Sequence, residues 1–343
     1  MAPNTKDTDI LPTGRLYEFE PLPQESSVGA PLTDKIYDKD IVWRNVILFI
    51  ILHSMAPLGI YYIFARTMAA TNLFFVALVL CSGFGITAGA HRLWAHRSYK
   101  AKWPLRLLLG FFNTIAFQND IHEWSRDHRV HHKFSETDAD PHNARRGFFF
   151  SHVGWLCVKK HQEVIARGKS VDCNDLLADP IVYYQRMFYL PLVLLCCFVF
   201  PTVTPVYFWG EDAWVAFCTC ALARYCLVLN GTWLVNSAAH IWGPHPYDKN
   251  ISAVENLSVA TLAFGEGWHN YHHTFPWDYK TSELGAYHVN FTALFIDFMA
   301  FLGLAYDLKS VPDEVVKQRV LRTGDGSHYR WGGPVNDKRV KLA

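Results

Sequence analysis

Apolar residues in this chain are bunched rather than alternating, and four bunches run long enough to be read as helices crossing a bilayer. A helix rises about 1.5 Å per residue, so roughly 20 apolar residues match a hydrocarbon core about 30 Å thick. The four stretches lie near 42–65, 72–90, 187–208 and 213–235. Pro191, Pro201 and Pro205 predict a kink or an end in the third, because proline removes a backbone donor and clashes with the preceding turn. Arg224, inside the fourth, has to meet a partner or a polar cavity rather than lipid.

Two further apolar segments are too short or too interrupted to span. Residues 104–118 read as a helix lying in the interface or dipping into the bilayer, and residues 287–306, with Asp297 at their middle, as an interfacial helix rather than a fifth span. Residues 1–33 mix Pro, Asp, Ser and Gly with few buried-type side chains and read as a disordered tail. The pattern therefore predicts an all-α integral membrane fold. It has four transmembrane helices in one membrane domain over 34–310, a helical cap made of 91–185 and 236–310, and a C-terminal tail over 311–343.

Half of the 343 residues are hydrophobic and 15% are aromatic, which supports the membrane reading. A net charge of +1 gives no reason to expect nucleic acid as a partner. Its distribution says more: Lys and Arg crowd the link over 91–185 and nearly vanish from the short links after the first and third spans. By the positive-inside tendency both termini and the whole cap face the cytosol. Cys81, Cys196, Cys197, Cys218, Cys220 and Cys226 fall in apolar spans, where a thiol acts as a small hydrophobe, and no disulfide framework is implied. The polar, Pro-containing start does not resemble a cleavable signal peptide, so the first span is expected to do the targeting. Asn250, Asn256 and Asn290 match the glycosylation pattern, but on the cytosolic side they stay unmodified.

Candidate chemistry lies in the histidines. His91 pairs with His96, and two HxxHH motifs hold His128, His131, His132 and His269, His272, His273. Residues spaced i, i+3 and i+4 share a helical face, so each HxxHH could aim three rings at one place. A solvated surface helix explains one such cluster but poorly explains two. His240, four residues after Asn236 on one helical face, makes nine rings. Nitrogen ligands suit zinc, copper, iron or nickel, and nine exceed the four a structural zinc takes, so the number points to two metals. Soluble di-iron bundles repeat Glu-x-x-His, which only Glu266 to His269 matches here, so a histidine-rich di-iron centre is preferred. His53, His122, His142, His152, His161, His245, His288 and His328 lack the spacing and are read as structural. Asp120, Glu123, Asp138 and Glu266 are candidates to orient ligand rings through their distal N–H.

The stretches GITAGAHRLWAHRSYKA, WSRDHRVHHKFSETDADPHN, NSAAHIWGPHPYD and GEGWHNYHHTFPWDY resemble the histidine boxes of membrane acyl-CoA desaturases of the stearoyl-CoA type. The likeness runs from about Trp43 to Asp307. It implies an O2-dependent oxidoreductase of the endoplasmic reticulum that puts a cis double bond, Δ9 by type, into a saturated fatty acyl-CoA for unsaturated fatty acid synthesis. Two irons are then held by the nine histidines, and by Asn236 through a water. The same resemblance implies that Asn45, Asn119, Arg126, Asp127, Lys159, Lys160 and Trp233 meet the acyl-CoA. Where relatives carry an Arg-Lys pair this chain has Lys159 and Lys160, which keep the charge but lose the two-pronged phosphate grip of arginine.

Removing hydrogen from an unactivated methylene needs more than acid–base chemistry, and a reduced metal pair with O2 supplies it. No flavin, haem or nicotinamide motif is seen, nor a fused cytochrome segment. The two electrons are therefore expected from cytochrome b5 and its NADH-dependent reductase, with an acidic b5 surface meeting the basic face. Val79 and Gly83, on the helical face of His91, are both small and leave the expected substrate tunnel unblocked, which points to chains of about eighteen carbons or more. A fatty acyl hydroxylase on the same metal chemistry and a non-enzymatic zinc membrane protein are the competing readings. Product analysis separates the first, and metal content the second.

Overall fold

The computed structural model describes residues 40–283 and 287–333, and the tail expected over 1–33 lies outside the described residues. Among the helices of the described residues, those that frame the site are α1 Trp43–Ala65, α2 Ala69–Ala95, α3 Trp103–Ala116, α4 Ile121–Phe134, α5 Tyr189–Trp209, α6 Ala213–His240, α7 His269–Thr274, α8 Phe291–Phe301 and α9 Asp313–Thr323. Helices α1, α2, α5 and α6 are long and apolar enough to cross a membrane. Two of them outrun their apolar stretches. Helix α2 continues past residue 90 to carry His91, and α6 past 235 to carry His240.

The inner and outer spans differ in what they bury. Only 22% of the most apolar window of α1 and of α5 is covered by protein, against 50% for α2 and 61% for α6. The outer helices leave large side chains such as Ile47, Leu48, Phe64, Leu190, Val203 and Phe208 exposed, as lipid-facing helices must. Helix α1 docks by one stripe, Leu52, Ala56, Gly59 and Tyr62. A Cβ at Gly59 would collide with the Cys218 carbonyl and the Ala223 side chain, so glycine is what lets α1 and α6 approach.

Three of the four spans contain a wide, i→i+5 bonded stretch: Gly85–Ala95 in α2, Leu194–Val199 in α5 and Phe217–Ala223 in α6. Such turns loosen the ordinary ladder and redirect carbonyls and side chains. Arg224 uses them. The prolines of α5 do not end the helix, but Pro201 has no N–H for the Cys197 carbonyl four residues back. Arg224 donates there at 3.0 Å, to Cys220 O at 3.2 Å and to Ile115 O, near the end of α3, at 2.7 Å. The guanidinium is fully buried, and its charge meets carbonyl dipoles rather than lipid.

Helix α3 begins with Pro104 in its first turn and exposes Trp103, Leu107, Leu108 and Phe111. Its last turn, Asn113–Ala116, is buried, so it dips towards the bundle and stops at Phe117 in the left-handed region. Helix α8 has 11 residues, about 16 Å, too short to cross, in keeping with the interfacial reading. Its Asp297 accepts from Tyr279 and Tyr287 at 2.7 Å each. A two-residue antiparallel ribbon, Lys100–Ala101 with Ala305–Tyr306, ties the segment after α2 to the segment after α8.

Backbone bonds from Val42 N to Cys157 O, 2.8 Å, and Lys159 N to Asp40 O, 3.0 Å, fasten the start of α1 to the cap. The first turn of α1 and the histidine-bearing ends of α2 and α6 therefore lie at one end of the bundle. Part of the segment read as a C-terminal tail folds onto this cap: Val316 and Val320 of α9 are buried against Tyr271 and Phe275.

Replacing Arg224 with Leu strands three carbonyls inside the bundle and is expected to cost about 3 kcal/mol, a loss typical of breaking a buried charged contact. Thermal unfolding in nanodiscs checks this, and an unchanged midpoint would refute the clamp.

Candidate metal centre

An α-helix would point residues five apart roughly 140° from each other. The wide turn ending α2 removes that divergence: His96 N bonds His91 O at 3.0 Å, and the two rings come within 4.9 Å. Helix α4 starts on the Asp120 cap, whose side chain accepts from Glu123 N at 2.9 Å, and presents His128, His131 and His132. Helix α7 presents His269, His272 and His273, and α6 brings His240 in a final tight turn.

The nine rings converge as two groups, His91, His96, His128, His132 and His272, and His131, His240, His269 and His273. Within each group the nearest ring nitrogens lie within 4.8 Å of one another. Neither HxxHH motif aims all three rings at one place, contrary to the expectation from spacing. On α4 the i and i+4 rings join the five-membered group and the i+3 ring the other; on α7 the assignment is reversed. The i+3 and i+4 directions differ by about 100°, so one helix lying between two foci serves both.

Nε2 atoms face one another at 2.8 Å for His96 and His128, 3.0 Å for His91 and His272, and 3.0 Å for His272 and His132. In the second group the separations are 2.9 Å for His240 and His269, 3.1 Å for His269 and His273, and 3.3 Å for His131 and His273. One proton cannot satisfy both neighbours of His272 Nε2. A cation bound at about 2.1 Å by each nitrogen sets ligand–ligand edges of about 3.0–3.4 Å, so the donor set fits metal ions.

Burial, then neighbouring imidazoles, hold His96, His128, His132, His269, His272 and His273 well below the usual histidine range, in the neutral form that binds metal. Behind the rings stand carboxylates. Glu266 Oε2 lies 2.9 Å from His91 Nδ1, Asp140 Oδ1 2.9 Å from His131 Nδ1, and Glu136 Oε1 3.0 Å from His240 Nδ1. An ionised carboxylate can only accept, so Asp140 and Glu136 fix Nδ1 of His131 and His240 as donors and leave Nε2 for the focus, while Glu266 faces His91 Nδ1 at ion-pair distance.

Of the four acids expected to do this, only Glu266 does. Asp120 caps α4, Glu123 pairs with Lys160 at 2.8 Å, and Asp138 pairs with Arg146 at 2.7 Å. Asp140 and Glu136 do it instead. They sit in the turn after α4, where Asp140 also takes the backbone N–H of Glu136 and His142. Nearness in sequence misleads because α4 turns its first-turn acids away from the foci. His142 packs against the His131 ring at 4.3 Å, with burial first holding it down to about 3.

Arg92 and Arg129, counted in the sequence as cytosolic-side charges, are buried instead. Arg92 reaches Glu266 Oε1 and the carbonyls of Tyr279 and Lys280, while Arg129 reaches the carbonyls of Trp94 and Ala95 and the Asp175 carboxylate. The wide turn between His91 and His96 is thus held from both sides. The only sequence signal for them is position, directly after the first histidine of a cluster.

Arg126, Asp127 and Lys160 form one ionic cluster: Arg126 donates to Asp127 Oδ1 at 2.7 Å and Lys160 to Asp127 Oδ2 at 2.6 Å. Lys159 is exposed and pairs with Asp40 at 2.7 Å. Asn119 adopts a left-handed φ of 71° just before the α4 cap, and Asn45 donates to Leu156 O at 2.8 Å. Trp233 is buried on α6 against Phe49, His53 and His152. Asn236, half-buried, closes the regular part of α6 four residues before His240. Gly83 is not open: a Cβ there would strike the ring of Phe264, itself at a left-handed φ of 56° and touching Phe84 and Phe291.

The fatty acid desaturase family model matches residues 41–302. The chain belongs to that family. The desaturase is 58% identical to the acyl-CoA Delta-9 desaturase of Acheta domesticus, over 97% of this chain and 94% of that one. It is 56% identical to the acyl-CoA Delta12-desaturase of the same species over 98% and 96%, and 52% identical to the stearoyl-CoA desaturase of Homo sapiens over 92% and 90%. It is therefore an oxidoreductase acting as a desaturase, with histidine clusters able to bind metal in a membrane-spanning fold.

A histidine whose folded value is lowered refuses protons that the unfolded chain accepts, so stability falls as pH drops through the ordinary histidine range near 6.5. The metal-free desaturase is expected to melt at progressively lower temperature from pH 7 to pH 5. Melting curves of chelator-stripped protein test this, and an acid-insensitive midpoint would argue that the rings are not held neutral.

Proposed function

We propose that the desaturase introduces a cis double bond at Δ9 of a saturated fatty acyl-CoA, in the endoplasmic reticulum membrane with its metal centre in the cytosol. The observation that carries the reading is the split of nine imidazoles, six buried and three half-buried, into two metal-sized groups. Their number and nitrogen donors suit two irons, ligated by the nine histidines and, through a water, by Asn236. Two irons there, with O2 and two electrons, supply the oxidising power to take two hydrogens from adjacent methylenes, with two protons taken up and water as the other product.

The protein's part is positioning. Arg126 and Lys160 are charged groups for the anionic CoA, with Asp127 holding both and Lys159 adding a peripheral charge. Asn45 and Asn119 offer hydrogen bonds to the same substrate, and Trp233 an apolar wall. The Phe264 ring against Gly83 replaces the open tunnel end inferred from residue size, so the stop for the acyl chain is that ring rather than the helix behind it. Electrons are expected from cytochrome b5 and its reductase, docking on the basic cap.

The Δ9 and Δ12 relatives differ by two points of identity, 58% against 56%, so the product decides the position of the bond. Expression in yeast lacking its own Δ9 desaturase, with mass spectrometry of derivatised fatty acids, decides it. Growth rescue with Δ9 products is the expected result. Bonds elsewhere would keep the chemistry and overturn the position, and hydroxylated chains would replace the reaction.

Lys160→Ala should raise KM for acyl-CoA roughly tenfold, the worth of one charged contact, with little change in kcat. Lys159→Ala should cost less, because that ammonium sits out in solvent. Equal effects from the two would contradict the assignment.

A further inference from the structure

Each half of the histidine centre has its own carboxylate backing. In the four-histidine group, Asp140 backs His131 and Glu136 backs His240. Their remaining oxygens are met by backbone N–H groups and Ser252, and among the described residues no Lys or Arg pairs with either. The five-histidine group has one such acid, Glu266 behind His91, and that acid alone faces a buried arginine.

Arg92 is 0% exposed. Its Nε and Nη2 donate to Glu266 Oε1 at 3.2 and 2.9 Å, and its Nη1 donates to Tyr279 O at 2.9 Å and Lys280 O at 3.1 Å. We infer that Arg92 is a positioning residue for the five-histidine metal site alone, acting through Glu266 on the His91 ring, so that the two sites can be emptied one at a time. The inference rests on the two-iron reading above.

The physical reason is geometric: the guanidinium grips one Glu266 oxygen and so fixes where the other stands against His91 Nδ1. Without that grip the carboxylate is free to turn away, and the ring loses both its fixed orientation and the added basicity that a carboxylate lends a metal ligand. The planar guanidinium fork also sets the angle at which Glu266 presents its other oxygen, which a lysine cannot reproduce. The carbonyls of Tyr279 and Lys280 hold the fork itself, linking the first histidine pair to the loop beyond α7. Arg129 differs: it grips the Trp94 and Ala95 carbonyls and Asp175, none of which touches a ring nitrogen.

The test measures iron per chain and iron release to a chelator on the full-length protein in nanodiscs, with melting of the metal-free form alongside. Arg92→Gln and Glu266→Gln should each release half of the iron about 10- to 100-fold more readily, the usual scale for losing a partner behind a ligand. The double variant should add nothing further, since the two act as one unit. Asp140→Asn should loosen the other half, seen as the complementary Mössbauer component. Glu266→Gln keeps the shape of the side chain and a carbonyl oxygen for the Arg92 fork, so it should fold, with metal-free melting lowered by the lost charge, and it decides the matter if Arg92→Gln does not fold. Wild-type retention of both irons in Glu266→Gln, or loss of both together, would overturn the inference. A wild-type protein with fewer than two irons would sink the two-iron reading instead.

Discussion

The structure turns on an arrangement that protein alone cannot satisfy: nine imidazoles, six of them buried and three half-buried, with ring nitrogens aimed at one another. Removed from water, their charged forms are penalised, and as neutral rings they bring lone pairs together with too few protons between them. A shared cation resolves the conflict, and the cap reads as the apparatus that keeps the conflict in place until one arrives. Carboxylates set the tautomers of His131 and His240 from behind, and Glu266 stands against Nδ1 of His91. Buried arginines set the backbone that carries His91 and His96. These are costly groups to bury, and each is offset by a charge or a carbonyl opposite it.

The membrane portion meets the same demand with different means. Inside a bilayer every backbone polar group needs a partner in the protein. Three spans nonetheless give up the regular ladder in places, and what they release is used. In α2 the wide turn brings two ligands together. In α5 and α6 it lies beside Arg224, which gathers the carbonyls of Cys197 and Cys220 together with that of Ile115. A single arginine thus knits α3, α5 and α6 below the metal centre, where small-residue packing such as Gly59 against α6 holds the outer helix.

Much of this was legible in the sequence, and the reasons the rest was not are physical. Four apolar runs announced four spans, because length against bilayer thickness is a one-dimensional test. The nine histidines announced a metal centre, because imidazoles at that density have few other uses. Spacing could not say how they divide, since i+3 and i+4 both count as the same face until a second focus exists. Asp140 and Glu136 were invisible because a tight turn, not a helix, returns them to the rings. Arg92 and Arg129 were hidden by an explanation that also accounts for their neighbours: positive charges are expected on that side of a membrane. Phe264 closed the space at Gly83 from 181 positions away, a tertiary contact no local pattern encodes.

The opposite assignment of the two HxxHH motifs has a consequence for how the centre is built. Helix α4 gives two rings to one focus and one to the other, and α7 does the reverse. Neither focus can then be completed by one helix with the ends of α2 and α6, so docking α4 against α7 completes both or neither. Assembly of the ligand sets is cooperative for that reason. The backing acids follow a different logic, with Glu266 on the one side and Asp140 and Glu136 on the other, and among the described residues no acid touches rings of both groups. A centre assembled this way has shared scaffolding and separate tuning. Two metals in such a centre can differ in affinity and potential while their separation and orientation stay fixed by the same pair of helices.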